Sequence, residues 1–245
     1  MNTQENEIYE DGIFIQRSEF DKSGNAHRQL LGITGMLLPV ALFGLSATRP
    51  ISGIDPYTPL GSLSAYYYTG AAAAFSGILV AIALNLLTYR GYEEPGSFDR
   101  PVAIIAGCAA IVVVLFPTGA PTPLHVDSWW TPAMGVLHYA AAAVLFAGLA
   151  VFCLLLFPRT QKGGGIPTLQ KRRRNYIYYS CGALILVGMV WAYLAARVGD
   201  SIFLPESVAV EAFAISWLTK GRIIPTAKTV GLGTVNSIRA ILTPG

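Results

Sequence analysis

Long apolar stretches recur along the chain and constrain its fold more than any motif does. An α-helix rises 1.5 Å per residue, so about 20 apolar residues span the ~30 Å hydrocarbon core of a bilayer. Only 13% of the 245 residues are charged, whereas soluble domains carry about 25%. We therefore predict an all-α bundle of six transmembrane helices, at about residues 29–48, 66–89, 101–117, 132–157, 176–197 and 205–219.

The polar segments divide the chain into three parts. Residues 1–28 are mixed and acid-rich, without the pattern of a cleavable signal peptide, and are expected to be a cytoplasmic N-terminal segment. Residues 29–220 form the six-helix transmembrane domain. Residues 221–245 carry an intermittent apolar face and are expected to be a tail in the cytoplasm or on the membrane surface.

Lysine and arginine are distributed unevenly between the two sides of this predicted bundle. If the N-terminus is cytoplasmic, all of the 17 basic residues except Arg49 and Arg197 fall in cytoplasmic segments. Such an excess sets the orientation of membrane proteins. We therefore predict that both termini are cytoplasmic and that the protein resides in the bacterial inner (plasma) membrane.

A basic run, KRRRN (171–175), lies at the cytoplasmic end of the fifth predicted helix. Beside an anionic leaflet each such charge contributes about 1 kcal/mol of attraction. We expect anionic lipid headgroups at Arg172, Arg173 and Arg174. A nucleic-acid partner is not expected, because the net charge is only +3.

Three consecutive tyrosines, Tyr66, Tyr67 and Tyr68, precede the second predicted helix in PLGSLSAYYYTG (59–70). Tyrosine is common at membrane interfaces, where its ring is half buried and its hydroxyl is wet. Three successive helical residues sweep about 200°, so at least one ring should point into the bundle. We expect Tyr67 or Tyr68, together with Ser64, to close a polar site at this end.

Two ionisable residues are predicted at matching depth below that site. His138 and Glu211 each lie six residues into a helix, counted from Pro132 and Pro205, which places them about 9 Å deep. Buried ionisable groups are costly unless they are paired or hydrated. We expect a His138–Glu211 hydrogen bond, direct or through one water, with Glu206 and Arg197 among the polar groups on the same side.

Several interpretations of this cluster stay open. It can be a structural network joining the fourth and sixth helices, or a water-accessible cavity with a proton-handling pair. Catalysis by Ser62 or Ser64 with His138 and Glu211 is geometrically conceivable, although no nucleophile elbow is present. Metal binding by His138, Glu211 and Asp55 or Asp127 lacks any HxxxH or HExxH spacing. We predict no metal and no cofactor.

The cysteines and glycines suggest no further chemistry. Cys108, Cys153 and Cys181 all fall within apolar runs, and no CxxC occurs, so free buried thiols are expected. The three glycines at 163–165 are not followed by GK[ST] and are interpreted as a linker.

Several motifs resemble those of an uncharacterised family of bacterial six-helix membrane proteins without an established activity. They are SLSAYYYT (62–69), LFPT (115–118), His138, RRRNYIYYSCG (172–182) and EAFAISWLTKG (211–221). The resemblance implies an Arg–Asp pair just after the tyrosines, but this chain has TGAAAAF (69–75) there. That departure favours an accessory role over an enzymatic one. A looser likeness to the alkaline ceramidase and adiponectin-receptor superfamily implies zinc-dependent lipid hydrolysis, but its paired-histidine motif is absent.

These observations favour an accessory or scaffold subunit, or a lipid- or small-molecule-binding membrane protein, over an enzyme. The expected partners are the bilayer itself and other membrane protein subunits. The alternatives are a membrane-embedded, metal-dependent lipid hydrolase and a proton-coupled transporter using His138 and Glu211, the latter without internal repeats to support it.

Overall fold

The computed structural model describes residues 3–91, 98–126, 128–159 and 169–223, with side chains from residue 23 onwards. These residues form six α-helices and contain no β-strand. The helices are α1 (Thr3–Thr48), α2 (Ala72–Thr88), α3 (Asp99–Leu115), α4 (Pro132–Val151), α5 (Leu169–Val198) and α6 (Phe203–Lys220). A 3₁₀ turn, Ser64–Tyr68, precedes α2, and a π-helical turn, Phe152–Leu156, continues α4.

The helices are arranged as a ring in chain order. Each helix packs against the next one along the chain, and α6 closes the ring by packing against α1. Helices α4 and α6, which are not neighbours in the ring, have few direct contacts. The short connection between α5 and α6 (199–202) favours antiparallel packing of that pair, whereas the connections between α1 and α2 and between α3 and α4 are much longer.

Membrane association is supported by the length and composition of the helices. Ser23–Thr48, Pro132–Leu156 and Leu169–Val198 are each long and apolar enough to cross a bilayer, and Ala72–Thr88 is apolar but shorter. The all-helical fold is thus confirmed. Six crossings, and cytoplasmic termini, stay predictions.

Three helix starts differ from those predicted, and one of them is that of α5, which begins at Leu169 rather than near residue 176. Helix α1 begins at Thr3 rather than near residue 29 and passes through Pro39 without ending. The charged N-terminal segment continues the helix because isolated acidic and basic residues do not interrupt a helical backbone. The tyrosines are also not part of α2, because they occupy the separate 3₁₀ turn.

Connections at one end of the ring lie between α1 and α2, α3 and α4, and α5 and α6. We call this the tyrosine end, and the opposite end, which carries residues 171–175, the basic end. Aromatic rings fill the core toward the basic end, where Trp217 is fully buried against Tyr89, Phe152 and Phe157. Leu38, Phe75 and Tyr66 belong to a second core cluster.

Candidate functional site

The SLSAYYYT segment forms a capped 3₁₀ turn at the tyrosine end. The Ser62 hydroxyl accepts a hydrogen bond from the Ala65 N–H at 3.0 Å. The Thr69 hydroxyl donates to the Tyr66 carbonyl at 2.8 Å. These local side-chain bonds add to the backbone bonds of the turn, in which the Tyr66 and Thr69 N–H groups donate to the Leu63 and Tyr66 carbonyls. They hold Ser64, which is only 7% exposed, facing the bundle.

The LFPT segment supplies carbonyl oxygens that three different side chains reach. The His138 ring contacts the Phe116 carbonyl, the Trp130 indole N–H donates to the Pro117 carbonyl at 2.9 Å, and the Tyr68 hydroxyl donates to the Thr118 carbonyl at 2.5 Å. Carbonyl groups at a helix end have no helical partner and require other donors. The end of α3 is therefore joined to α4 and to the tyrosine turn.

His138 is the centre of this network. Its Nδ1 lies 2.8 Å from the Phe116 carbonyl oxygen and 3.1 Å from that of Val113. In a continuous helix the Val113 carbonyl would accept from the N–H of residue 117, but Pro117 has no N–H. The imidazole therefore supplies the donor that the proline removes.

The same contacts determine the direction of the Ser64–His138 hydrogen bond. Carbonyl oxygens only accept, so the proton of a neutral His138 ring resides on Nδ1. Nε2 is then an acceptor, and the Ser64 hydroxyl, 2.8 Å away, donates to it. The result is a buried serine–histidine pair, with the histidine only 1% exposed. The group that orients the ring is a backbone carbonyl, not a carboxylate.

The direct His138–Glu211 hydrogen bond expected from the sequence is wrong. Both ring nitrogens of His138 have other partners, on α3 and on the tyrosine turn. Glu211 is partly exposed on α6 and has no hydrogen bond or ion pair within the described part of the chain. Equal depth in two helices does not bring side chains together when α4 and α6 scarcely touch.

Glu206, not Glu211, is the acidic residue of α6 that joins the tyrosine end. Its Oε2 accepts a hydrogen bond from the Leu63 N–H at 2.7 Å. Nearby, the Ile202 N–H donates to the Gly61 carbonyl at 2.7 Å. The start of α6 is thereby attached to the residues immediately before Ser64. Glu206 also lies in the first turn of its helix, where the helix dipole favours a negative charge.

A cleft of about 490 Å³ lies between α4, α5 and α6. Its walls are mostly small or apolar residues, including Ala142, Phe146 and Ala192, while Tyr139, Tyr193 and Glu206 supply its polar groups. The cleft exists because small side chains face one another where α4 and α6 have few contacts. Its volume is within the range of about 300–1,000 Å³ typical of ligand sites.

A smaller cavity of about 50 Å³ lies inside the ring and is lined by Ser64, Glu206 and apolar side chains. It shares Ala142, Phe146 and Glu206 with the cleft, so the two spaces are separated by a single layer of side chains. This inner cavity has room for water but not for an ester or an acyl chain.

The remaining candidate binding residues have different environments. Tyr67 is partly buried and packs edge-on against Tyr68 and Phe75. Arg197 is exposed, with its guanidinium 5.9 Å from the centre of the Tyr193 ring. At the basic end, Arg172 and Arg173 are exposed, whereas Arg174 is partly buried.

Tyr66 is the tyrosine that points fully into the bundle. It is 1% exposed, and its hydroxyl oxygen accepts a hydrogen bond from the Leu60 N–H at 3.3 Å. The expectation of one inward ring is therefore met by Tyr66. Tyr67 and Tyr68 remain at the edge of the network.

The candidate metal ligands are not gathered together. The described residues contain no group of three His, Cys, Asp or Glu side chains able to hold a metal ion, and Asp127 lies outside them. Asp55 is in an exposed turn, where the Thr58 hydroxyl and the Tyr57 N–H hydrogen-bond its carboxylate. These bonds stabilise the charged form and lower the pKa of Asp55 below its usual value.

Sequence reasoning missed the residues that form the cleft and those that complete the LFPT network. These residues are Trp130 in the LFPT network and Tyr139 and Tyr193 in the cleft. Tyr139 directly follows His138 in the sequence, and this adjacency to a candidate site residue is the signal that could have identified it. The three free cysteines are confirmed as thiols, with Cys153 and Cys181 buried but Cys108 exposed.

Comparisons with models of protein families, with curated proteins and with solved structures give no match to this chain. The fold and composition define an all-helical, membrane-associated protein with a buried Ser64–His138 pair and an adjoining cleft. The resemblance to six-helix bacterial membrane proteins stays a prediction.

Proposed function

We propose that this chain is an integral membrane protein that binds a lipid or another small amphiphile in the α4–α5–α6 cleft, in an accessory rather than a catalytic role. The observation that carries the proposal is the cleft itself, about 490 Å³ with an apolar floor and a polar group, Glu206, at one end. An amphiphile needs both features. Apolar side chains alone would line the gap if it were only an imperfection in the packing of the helices.

The proposal includes the topology expected from the sequence. Six helices cross the bacterial inner membrane, both termini are cytoplasmic, and the basic end faces the anionic inner leaflet. The distribution of lysine and arginine supports this orientation. Arg172 and Arg173, which are exposed at the start of α5, are then available to lipid phosphates.

Photo-crosslinking tests the binding function. The purified full-length chain, reconstituted in nanodiscs, is irradiated with phospholipids that carry a diazirine in the acyl chain, and the labelled peptides are mapped by mass spectrometry. We expect labelling at cleft residues such as Phe146 and Met189. Ala143→Phe, which fills the cleft, should abolish that labelling. Ala140→Phe should not, because exposed Ala140 lies on α4 outside the cleft lining. Equal labelling of the two variants would refute a specific site.

A second function is favoured by one specific contact. The 2.8 Å distance between Ser64 Oγ and His138 Nε2 is that of a nucleophile and its general base. A hydrolase using this pair would take the acyl group from the cleft side, where only Ala142, Phe146 and Glu206 intervene. The small volume beside Ser64 argues for a structural role unless that layer moves.

A fluorophosphonate probe distinguishes binding from hydrolysis. An active serine should be labelled covalently in the wild-type protein but not in Ser64→Ala. His138→Gln should slow the labelling by at least about 100-fold if the histidine acts as general base. Absence of labelling in a folded protein that still binds lipid would leave binding as the sole function.

A further inference from the structure

We propose that the cleft selects an aminophospholipid, a lipid whose headgroup carries both a primary ammonium and a phosphodiester. This inference rests on the proposed binding function and specifies the class of ligand. One acidic and one basic side chain are placed around the cleft, Glu206 and Arg197.

Glu206 supplies the negative charge. One of its carboxylate oxygens accepts from the Leu63 N–H, and within the described ranges no basic side chain forms an ion pair with it. The residue lines both the cleft and the inner cavity, among apolar neighbours. A carboxylate in such surroundings is costly without a counter-charge. A ligand ammonium can provide that charge together with hydrogen-bond donors for the remaining lone pairs.

Aromatic rings flank the same position. Tyr139 on α4 and Tyr193 on α5 both line the cleft and are more than half exposed. The faces of aromatic rings attract cations, and a tyrosine hydroxyl can accept or donate a hydrogen bond. An ammonium beside Glu206 would therefore meet acceptors from three helices.

Arg197 supplies the positive charge at the rim. Its exposed guanidinium lies over the Tyr193 ring, and Arg197 directly follows Ala196, the last residue of α5 that lines the cleft. Arginine binds phosphate through a planar set of donors. A headgroup with its ammonium at Glu206 and its phosphate at Arg197 would leave the acyl chains to run along Ala142, Phe146 and Met189. An anionic lipid would match Arg197 alone, and a simple amine would match Glu206 alone.

The experiment compares headgroups on one acyl scaffold. Diazirine-bearing phosphatidylethanolamine, phosphatidylglycerol and phosphatidylcholine compete for the full-length chain in nanodiscs of otherwise constant composition. We expect phosphatidylethanolamine to label the cleft about tenfold more than phosphatidylglycerol. Its primary ammonium can donate a charge-assisted hydrogen bond to Glu206, and phosphatidylglycerol has no ammonium. Phosphatidylcholine should also label less, because its quaternary ammonium has no N–H to donate.

Two variants assign the selectivity to its residues. Glu206→Gln keeps an acceptor for the Leu63 N–H and should remove the preference for phosphatidylethanolamine while leaving phosphatidylglycerol labelling intact. Arg197→Gln should reduce labelling by both lipids and preserve their ratio. Equal labelling by all three headgroups in the wild-type protein would overturn this inference but leave the binding function standing. Absence of cleft labelling by any lipid would refute the binding function itself.

Discussion

Replacing His138 by alanine should destabilise the protein far more than replacing Glu211, although the two residues are equivalent in depth and polarity along the sequence. His138→Ala removes the donor that serves the Val113 and Phe116 carbonyls and the acceptor that serves the Ser64 hydroxyl. Glu211→Ala removes a partly exposed carboxylate with no hydrogen bond among the described residues. Comparing the two variants therefore separates the loss of the hydrogen-bond network from the general effect of removing a polar side chain.

The size of the effect follows from burial. A buried polar group left unpaired costs about 1–3 kcal/mol in general, and measured hydrogen bonds between membrane helices average about 0.6 kcal/mol. The space left by the ring adds a cavity cost, since large-to-alanine changes in cores typically cost about 2–5 kcal/mol. We therefore expect His138→Ala to lower the free energy of unfolding by about 3 kcal/mol. Glu211→Ala should lower it by less than about 0.5 kcal/mol, as is usual for surface changes.

Equilibrium unfolding in mixed detergent–SDS micelles, followed by tryptophan fluorescence, measures both values. A double-mutant cycle of Ser64→Ala with His138→Ala should give a coupling of about 0.5–1.5 kcal/mol. The corresponding cycle of His138→Ala with Glu211→Ala should give a coupling near zero. A large His138–Glu211 coupling, or equal losses for the two single variants, would refute the assignment of the network.

Packing and topology give two further predictions. Gly188→Val should destabilise the α5–α6 interface by about 1–3 kcal/mol, because even a Cβ at residue 188 would lie 2.9 Å from the Pro205 carbonyl oxygen. Gly77→Ala is the control, because the added Cβ has no neighbour within 4 Å. It should be neutral or stabilising in the same unfolding assay. In a cysteine-free background, a cysteine at exposed Tyr57 should react with an impermeant maleimide in intact cells, whereas one at Arg173 should react only after permeabilisation. The reverse pattern would invert the orientation.

Much of the fold could be predicted from the sequence because its causes are local. The length of an apolar run and the positions of prolines are properties of the chain itself. Pro132 is the first residue of α4, as its fixed φ and missing N–H predict, and α3 ends two residues before Pro117. Helices α3, α4 (with its π-helical turn) and α6 accordingly begin and end close to their predicted bounds, whereas α2 and α5 end where predicted but begin at Ala72 and Leu169 rather than near residues 66 and 176. The expected tail, residues 221–245, lies almost entirely outside the described residues.

The site depended on information that a sequence does not contain. Depth along a helix follows from counting residues, but the direction of a side chain around the axis depends on which helices are neighbours. The arrangement of the helices places His138 toward the end of α3, where backbone carbonyls are the acceptors. Pro117 marks one of these carbonyls in the sequence, but nothing in the sequence says which side chain reaches it. The cleft likewise arises from small residues on three helices, far apart in the chain, that face one another only after folding. The chain alone therefore determined that Ser64, His138 and Glu206 lie at one end of a helical bundle, and the tertiary structure decided which of them meet, because hydrogen bonding and packing act between neighbours in space.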